Sequence, residues 1–91
     1  MGVSVGAQTF FSKELEGRVI NQSGDVAATH VINTTTDRAT ITSVEGFFKI
    51  AVNLNDTLVF SAVQFKKKEI VVTRSILESK SIFITMEDAL T

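Results

Sequence analysis

Apolar and polar residues alternate with a period of two along much of this chain, which is the pattern of half-buried β-strands. The alternation is clearest at residues 46–52 (GFFKIAV), where Phe48, Ile50 and Val52 share one side of the strand. Lys49 lies on the other side, and a lysine seldom faces a protein core. The pattern therefore predicts that Phe48 is buried and that the face carrying Lys49 is in contact with solvent.

Six further segments alternate in the same way or are rich in β-branched residues, so seven strands are predicted in all. They are expected at residues 15–21, 27–33, 39–42, 46–52, 57–63, 68–73 and 81–86. Turn-forming residues separate them, as at residues 21–25 (NQSGD), and Gly46 is expected to take a positive φ. Residues 74–80 fit either one helical turn or a loop. Short strands at regular spacing predict an all-β fold, a seven-stranded antiparallel β-sandwich.

One face of each predicted strand contributes to the predicted core. The members are Leu15, Val19, Val31, Ile41, Phe48, Ile50, Val52, Leu58, Phe60, Ile70, Val72, Ile82 and Ile84. His30 lies on the opposite face of its strand from Val31, with Ile32 as its same-face neighbour, so His30 is expected to be half-exposed, on the side away from the core.

The composition shows that the chain is able to form such a core without disulfide bonds. Of its 91 residues, 44% are hydrophobic, which suits a single domain of this size. No cysteine is present, which excludes disulfides, thiolate nucleophiles and cysteine zinc sites. The formal net charge of −1 argues against a nucleic-acid partner, because nucleic-acid binders carry a basic excess.

The two ends of the chain differ from its strand-rich middle. Residues 1–14 are interpreted as the remnant of a secretion signal followed by an N-terminal extension, because Val5 and Ala7 fit the small-residue pattern before a signal-peptidase cut. An ordinary N-terminal segment is the alternative. Residues 15–86 are the predicted β-sandwich domain, and residues 87–91 are a tail toward a further region. No run reaches the ~20 apolar residues of a transmembrane helix.

Several short motifs follow one another along the predicted domain. They are Gly17-x-Val19, Ser23-Gly24-Asp25-Val26, His30-Val31-Ile32-Asn33, Ala39-Thr40-Ile41-Thr42-Ser43, Glu45-Gly46-x-Phe48-x-Ile50 and Asp56-Thr57-Leu58-Val59-Phe60-Ser61. As a set they resemble the carboxypeptidase-regulatory-like domain of many Bacteroidetes envelope proteins, over about residues 15–86. The chain departs from that family at Ala39 and Asn55, where glycine is usual, and at Ser43, where aspartate is usual.

The resemblance implies a transthyretin-like (prealbumin-like) Greek-key sandwich. Such domains commonly lie at the N-terminus of TonB-dependent outer-membrane receptors, or beside peptidase domains, as non-catalytic modules. The resemblance thus implies a periplasmic or cell-surface, outer-membrane-associated location. It also implies that the partner is a neighbouring domain or another envelope protein, and that the chain is part of a longer protein.

Residues 53–56 (NLND) are a polar segment between two apolar strands and raise the question of a metal site. Asn53, Asn55 and Asp56 offer oxygen atoms of the kind that Ca²⁺ binds, but the spacing and distal glutamate of an EF-hand are absent. Asparagine and aspartate are also turn residues, and Asn55 is able to adopt a left-handed conformation. We therefore expect a turn in which Asp56 accepts hydrogen bonds from nearby backbone amides, with no metal or cofactor.

His30 is the only histidine and hence the only candidate for a histidine base. A catalytic triad also needs a nucleophile, but Ser23, Ser43 and Ser61 lie in no G-x-S-x-G motif. A zinc peptidase site of the H-E-x-x-H kind needs two histidines and is excluded. The acidic residues are scattered and suggest no pair for glycoside hydrolysis. No catalytic residue is predicted, and we expect that the protein is not an enzyme.

Two features suggest contact with other molecules. Residues 66–68 are three lysines, which suit anionic lipid or polysaccharide, although such a run more often protects an edge strand from pairing with another sheet. Phe47, Phe65 and Phe83 are candidates for the outer faces of the sandwich, where clustered phenylalanines would form a docking patch.

The leading hypothesis is a non-catalytic interaction or spacer module, because strands are predicted almost throughout and no catalytic set assembles. A small carbohydrate-binding module is the alternative. It is disfavoured because sugar-binding sandwiches usually rely on exposed tryptophan or tyrosine, and the chain contains neither.

Overall fold

The computed structural model describes residues 13–26 and 28–89, which form seven strands and one short helix. The strands are β1 (Lys13–Ile20), β2 (His30–Asn33), β3 (Arg38–Ile41), β4 (Phe47–Val52), β5 (Thr57–Ser61), β6 (Lys68–Val71) and β7 (Ile82–Thr85). The helix α1 (Arg74–Glu78) precedes β7, so the helical alternative is the one found there. Every strand overlaps its predicted segment. Most of the interpreted signal remnant, residues 1–12, lies outside the described residues.

The strands form two facing sheets. One has three strands in the order β4-β1-β7, and the other has four strands in the order β3-β2-β5-β6. This arrangement confirms the prediction of a mostly-β, sandwich-like fold with seven strands. β1 and β7 are parallel, however, with Gly17 opposite Ile82 and Ile20 opposite Thr85.

The parallel pair shows that the prediction of an antiparallel sandwich is wrong for β1 and β7. The pairs β1–β4, β2–β3, β2–β5 and β5–β6 are antiparallel. β6 and β7 belong to different sheets, and the chain between them includes α1. A short hairpin forces neighbouring strands to run in opposite directions, whereas a longer crossover permits a parallel pair.

The core lies between the sheets, mainly at the inward positions that alternation predicts. Its buried apolar side chains are Leu15, Val19, Val26, Val31, Phe48, Ile50, Val52, Leu58, Phe60, Phe65, Val72, Ile84 and Met86. Phe48 and Phe60 come from different sheets, and their ring centroids are 5.5 Å apart in an edge-to-face arrangement. Ile70 and Ile82, which are also predicted core residues, are partly buried against this cluster.

The prediction that Ile41 belongs to the core is wrong, because its side chain is 55% exposed. β3 pairs with β2 so that Ile41 is opposite His30 and Thr40 is opposite Val31. Residues directly opposite each other on paired strands share a face of the sheet. Ile41 therefore lies with exposed His30 on the outer face, and Thr40 occupies the inward position beside buried Val31.

Val26, Phe65 and Met86 are buried although they lie outside the strands and outside the predicted core. Phe65 lies between β5 and β6 and forms an isolated antiparallel bridge with Asp88. The residues that follow β7 therefore cross to the other sheet and close this side of the sandwich.

A tight turn at Gly46 takes the chain from β3 in one sheet to β4 in the other. Gly46 has a φ of +93°, as expected, and its N–H donates to the carbonyl of Ser43 at 2.9 Å. The N–H of Val19 on β1 donates to the Gly46 carbonyl at 2.8 Å. A Cβ at position 46 would overlap the Val19 carbonyl oxygen, so both the backbone conformation and the available space require glycine.

Candidate functional site

The polar segment between β4 and β5 is a turn held by a buried carboxylate. Asp56 is 4% exposed, and its Oδ2 accepts hydrogen bonds from the Asn53 backbone N–H at 2.8 Å and from Asn33 Nδ2 at 2.7 Å. Asn55 adopts the left-handed conformation with a φ of 73°. The predicted turn, with Asp56 accepting from a nearby backbone amide, is confirmed.

Asn33 on β2 is a buried partner of this turn that sequence reasoning missed. Its Nδ2 also donates to the Ala51 carbonyl at 3.2 Å, and its Oδ1 accepts from the backbone N–H groups of Thr35 and Thr36. Asn33 and Asp56 are 23 positions apart, so no local pattern joins them. In the part of the chain that the structure describes, no group of three histidine, cysteine or acidic side chains is placed to hold a metal ion.

We expect the Asp56→Ala variant to lose about 2–3 kcal/mol of unfolding free energy, because buried Asn33 would lose its charged acceptor. Denaturant unfolding followed by circular dichroism measures this loss. Asp25→Ala is the matched control, since Asp25 is exposed and its removal should change stability by no more than about 0.5 kcal/mol. Destabilisation of the unmodified protein by a metal chelator would contradict the assignment of this segment as a simple turn.

His30 lies on the outer face of the four-stranded sheet, as predicted, and it is exposed there rather than half-exposed. Ser61 on β5 is directly opposite it, whereas Ser23 and Ser43 lie in other segments. Within residues 13–26 and 28–89, His30 forms no ion pair with a carboxylate. A serine and a histidine are therefore neighbours, but among the described residues no carboxylate is ion-paired with this histidine, as a triad would need.

The three lysines lead into β6, which is an edge strand of the four-stranded sheet. Lys66 Nζ is 3.8 Å from Glu87 Oε1, and Lys68 Nζ donates to the Thr85 carbonyl at 3.0 Å. Lys67 is exposed. A lysine run at a sheet edge agrees with the edge-protection interpretation, because charged side chains there oppose pairing with a second sheet.

Phe47, Arg18 and Phe83 lie side by side on the outer face of the three-stranded sheet, and we call them the aromatic row. Arg18 on the central strand β1 is opposite Phe47 on β4 and Phe83 on β7. The Arg18 guanidinium carbon is 4.8 Å from the Phe47 ring centroid, and Arg18 Nε donates to the Glu45 carbonyl at 3.0 Å. Phe47 is 53% exposed and Phe83 is 67% exposed.

Phe65, the third candidate for an outer face, is instead a core residue at 5% exposure. It therefore offers no platform on which a sugar ring would stack. Substitution of Phe65 would test the stability of the sandwich and would not test carbohydrate binding.

A groove of about 530 Å³ borders the aromatic row, and we call it the β3 groove. Its lining includes Thr40, Ile41 and Ser43 at or beside β3, Phe47 and Lys49 on β4, and Glu16 on β1. Lys49 Nζ and Glu16 Oε2 are 3.8 Å apart, and both side chains are more than half exposed. An ion pair this exposed contributes little to stability, so these two charges remain accessible to a partner.

No known protein family matches this chain, and no curated protein is significantly similar to it. Among the described residues, α1 is the only helix, and its five residues are far too few to cross a membrane. An inference about function therefore depends on the surfaces described above and on the motifs in the sequence.

Proposed function

We propose that this chain is a non-catalytic interaction or spacer module of a secreted or outer-membrane-associated protein. The aromatic row is the observation that carries the proposal. It exposes two phenylalanine rings with an arginine between them, and aromatic residues and arginine are enriched at protein interfaces. Covering apolar rings is worth about 25 cal/mol per Å² of area removed from water, so a partner that covers the row gains free energy.

The finer fold that we propose is a transthyretin-like Greek-key sandwich of the carboxypeptidase-regulatory-like kind. β2 and β3 are adjacent, β3 lies against β4 where the sheets meet, and β5 returns beside β2. A fourth strand that returns beside the first of three consecutive strands is the Greek-key arrangement. The order of the sequence motifs from Gly17 to Ser61 supports the family assignment.

The proposed location follows from that family resemblance and from the small-residue pattern at Val5 and Ala7. The module would lie in the periplasm or at the cell surface, as part of an envelope protein of the kind that includes TonB-dependent receptors. Its partner would be a neighbouring domain or a second envelope protein.

Photo-crosslinking from the aromatic row tests this function. A benzoylphenylalanine at Phe83 in the full-length protein, in its native cells, is expected to form a discrete adduct with a neighbouring domain or an envelope protein. The same probe at Val63, which is 98% exposed on another part of the domain, is the control and should form no discrete adduct. The absence of an adduct from Phe83, or the same adducts from both positions, would argue against an interaction module that uses this face.

A further inference from the structure

β3 has an edge whose backbone groups have no partner strand among the described residues. The Thr42 N–H donates to the Thr29 carbonyl at 2.9 Å, so Thr29 and Thr42 are a hydrogen-bonded pair. This bond shows which of the following β2–β3 pairs are hydrogen-bonded and which are not. Hydrogen-bonded and non-hydrogen-bonded pairs alternate between antiparallel strands, so Ala39 and Ile41 direct their N–H and C=O groups away from β2. β3 is the last strand of its sheet, and these four groups therefore point outward.

The edge at β6, on the other side of the same sheet, is protected in a way that the β3 edge is not. The lysine run leads directly into β6, and Lys68 is hydrogen bonded to the chain at Thr85. β3 begins with one charged residue, Arg38, but its positions 39–41 are alanine, threonine and isoleucine, with no charge and no proline. Proteins usually protect an edge strand with such devices, and an unprotected edge is available for pairing with another chain.

Apolar side chains are exposed around the β3 edge. Ile41 is 55% exposed, Val44 is 76% exposed and Phe47 is 53% exposed, all within one short stretch of chain. The β3 groove extends from this edge to Glu16 on the outer face of the three-stranded sheet. A strand placed beside β3 would extend the four-stranded sheet, so its alternate side chains would lie on the side where Ile41 is exposed.

We propose that β3 binds an extended segment of a partner polypeptide by strand addition, with the apolar side chains on one face of the segment packing beside Ile41. The proposal rests on the proposed function, since it takes the chain to be an interaction module. An extended backbone matches the outward N–H and C=O groups of Ala39 and Ile41, because it is able to pair with all four of them. Arg38 is exposed and has no ion pair among the described residues, so an acidic residue is favoured at that end of the segment.

A second copy of the chain is a poorer occupant than a peptide segment. β3 has four residues and a length of about 13 Å. Pairing of two copies along this edge alone would bury far less than the about 800 Å² per partner that a stable dimer needs. A flexible segment does not depend on a large rigid contact, because it is able to follow the groove beyond the edge.

Selection of peptides from a phage library of random nine-residue sequences, with this protein immobilised, tests the proposal. We expect selected peptides to have alternating apolar positions and an acidic residue near one end. A synthetic copy of one selected peptide should shift the amide NMR signals of Ala39 and Ile41. The same peptide with its alternate backbone nitrogens methylated should bind at least tenfold more weakly, because strand addition needs those N–H groups.

Ala39→Pro is the matching change in the protein. It removes an outward N–H that makes no ladder bond, so the fold should be retained and peptide binding should fall at least tenfold. Glu69→Pro is the control. The Val72 N–H donates to the Asp56 carbonyl, and by the same alternation the Glu69 N–H points outward at the β6 edge. This variant should bind the peptide as the unmodified protein does.

Three results would overturn strand addition at β3: no enriched peptide, amide shifts remote from β3, or binding that is unaffected by peptide methylation. The methylated peptide is used with the unmodified protein, so the test stands even if Ala39→Pro fails to fold. If the β3 test fails but the Phe83 probe still forms its discrete adduct, strand addition is wrong and the proposed function stands. If the Phe83 probe forms no discrete adduct, the proposed function itself is contradicted.

Discussion

The Phe48→Ala variant is expected to lose about 3–5 kcal/mol of unfolding free energy, as is usual for a large aromatic side chain removed from a core. Phe48 is 4% exposed and meets Phe60 of the opposite sheet edge-to-face. Its ring also covers Gly17, where an added Cβ would lie only 2.5 Å from the Phe48 Cζ. Removal of the ring would leave a cavity beside Gly17 and the Ile82 side chain, whose Cγ1 lies 3.0 Å from the same Cβ position.

Phe47→Ala is the matched control for this prediction. The two phenylalanines are adjacent in β4, but Phe47 is 53% exposed on the outer face. Its removal costs the contact with Arg18, which is worth no more than about 1 kcal/mol at an exposed site. Lys49→Ala should change stability by less than about 0.5 kcal/mol. Equal losses for Phe47→Ala and Phe48→Ala in denaturant unfolding would mean that the two faces of β4 are assigned the wrong way round.

The Gly46→Ala variant is expected to lose about 2–5 kcal/mol of unfolding free energy, for two reasons that add. A residue other than glycine pays about 1–2 kcal/mol to adopt the left-handed conformation. The new methyl group would also overlap the Val19 carbonyl oxygen and approach Val26 Cγ2 to 2.9 Å, and overpacking of this kind costs about 1–3 kcal/mol.

Gly24→Ala separates these two costs. Gly24 also has a positive φ, +85°, but nothing lies within 4 Å of a Cβ built at this position. The variant should therefore pay the backbone cost alone, about 1–2 kcal/mol. Thermal and denaturant unfolding of both variants measure the difference. Equal losses of unfolding free energy in the two variants would mean that the Gly46 turn accommodates a methyl group without overlap, against the structure.

The positions of the strands were predictable because alternation is a local property. Phe48, Ile50 and Val52 are buried and Lys49 is exposed, as their order in the sequence indicates. The turn at residues 53–56 was also predictable, since asparagine and aspartate form turns through bonds to their own neighbouring backbone. These predictions needed no information about which strands are adjacent.

Features that depend on strand pairing were not predictable from one sequence. The face of Ile41 is set by the register between β2 and β3, and the burial of Phe65 is set by its bridge to Asp88. The parallel direction of β7 depends on the route that the chain takes between the two sheets.

The candidate surfaces were also predictable only in part. Alternation places Phe47 and Phe83 on outer faces, but only the register of three strands places Arg18 between them. The outward groups of Ala39 likewise depend on which strand is the last of its sheet. A hydrophobic pattern contains no information about sheet order, so both surfaces required the structure.

The parallel pairing of β1 with β7 has a consequence for synthesis of the protein. The Asn21 side chain, just after β1, donates to the Met86 carbonyl 65 positions away. During translation β1 leaves the ribosome well before the strand that completes its sheet. Contacts between such distant positions pay a large loop-closure cost and slow folding. In the nascent domain, β1 is therefore unpaired on one side until nearly all of these residues have emerged.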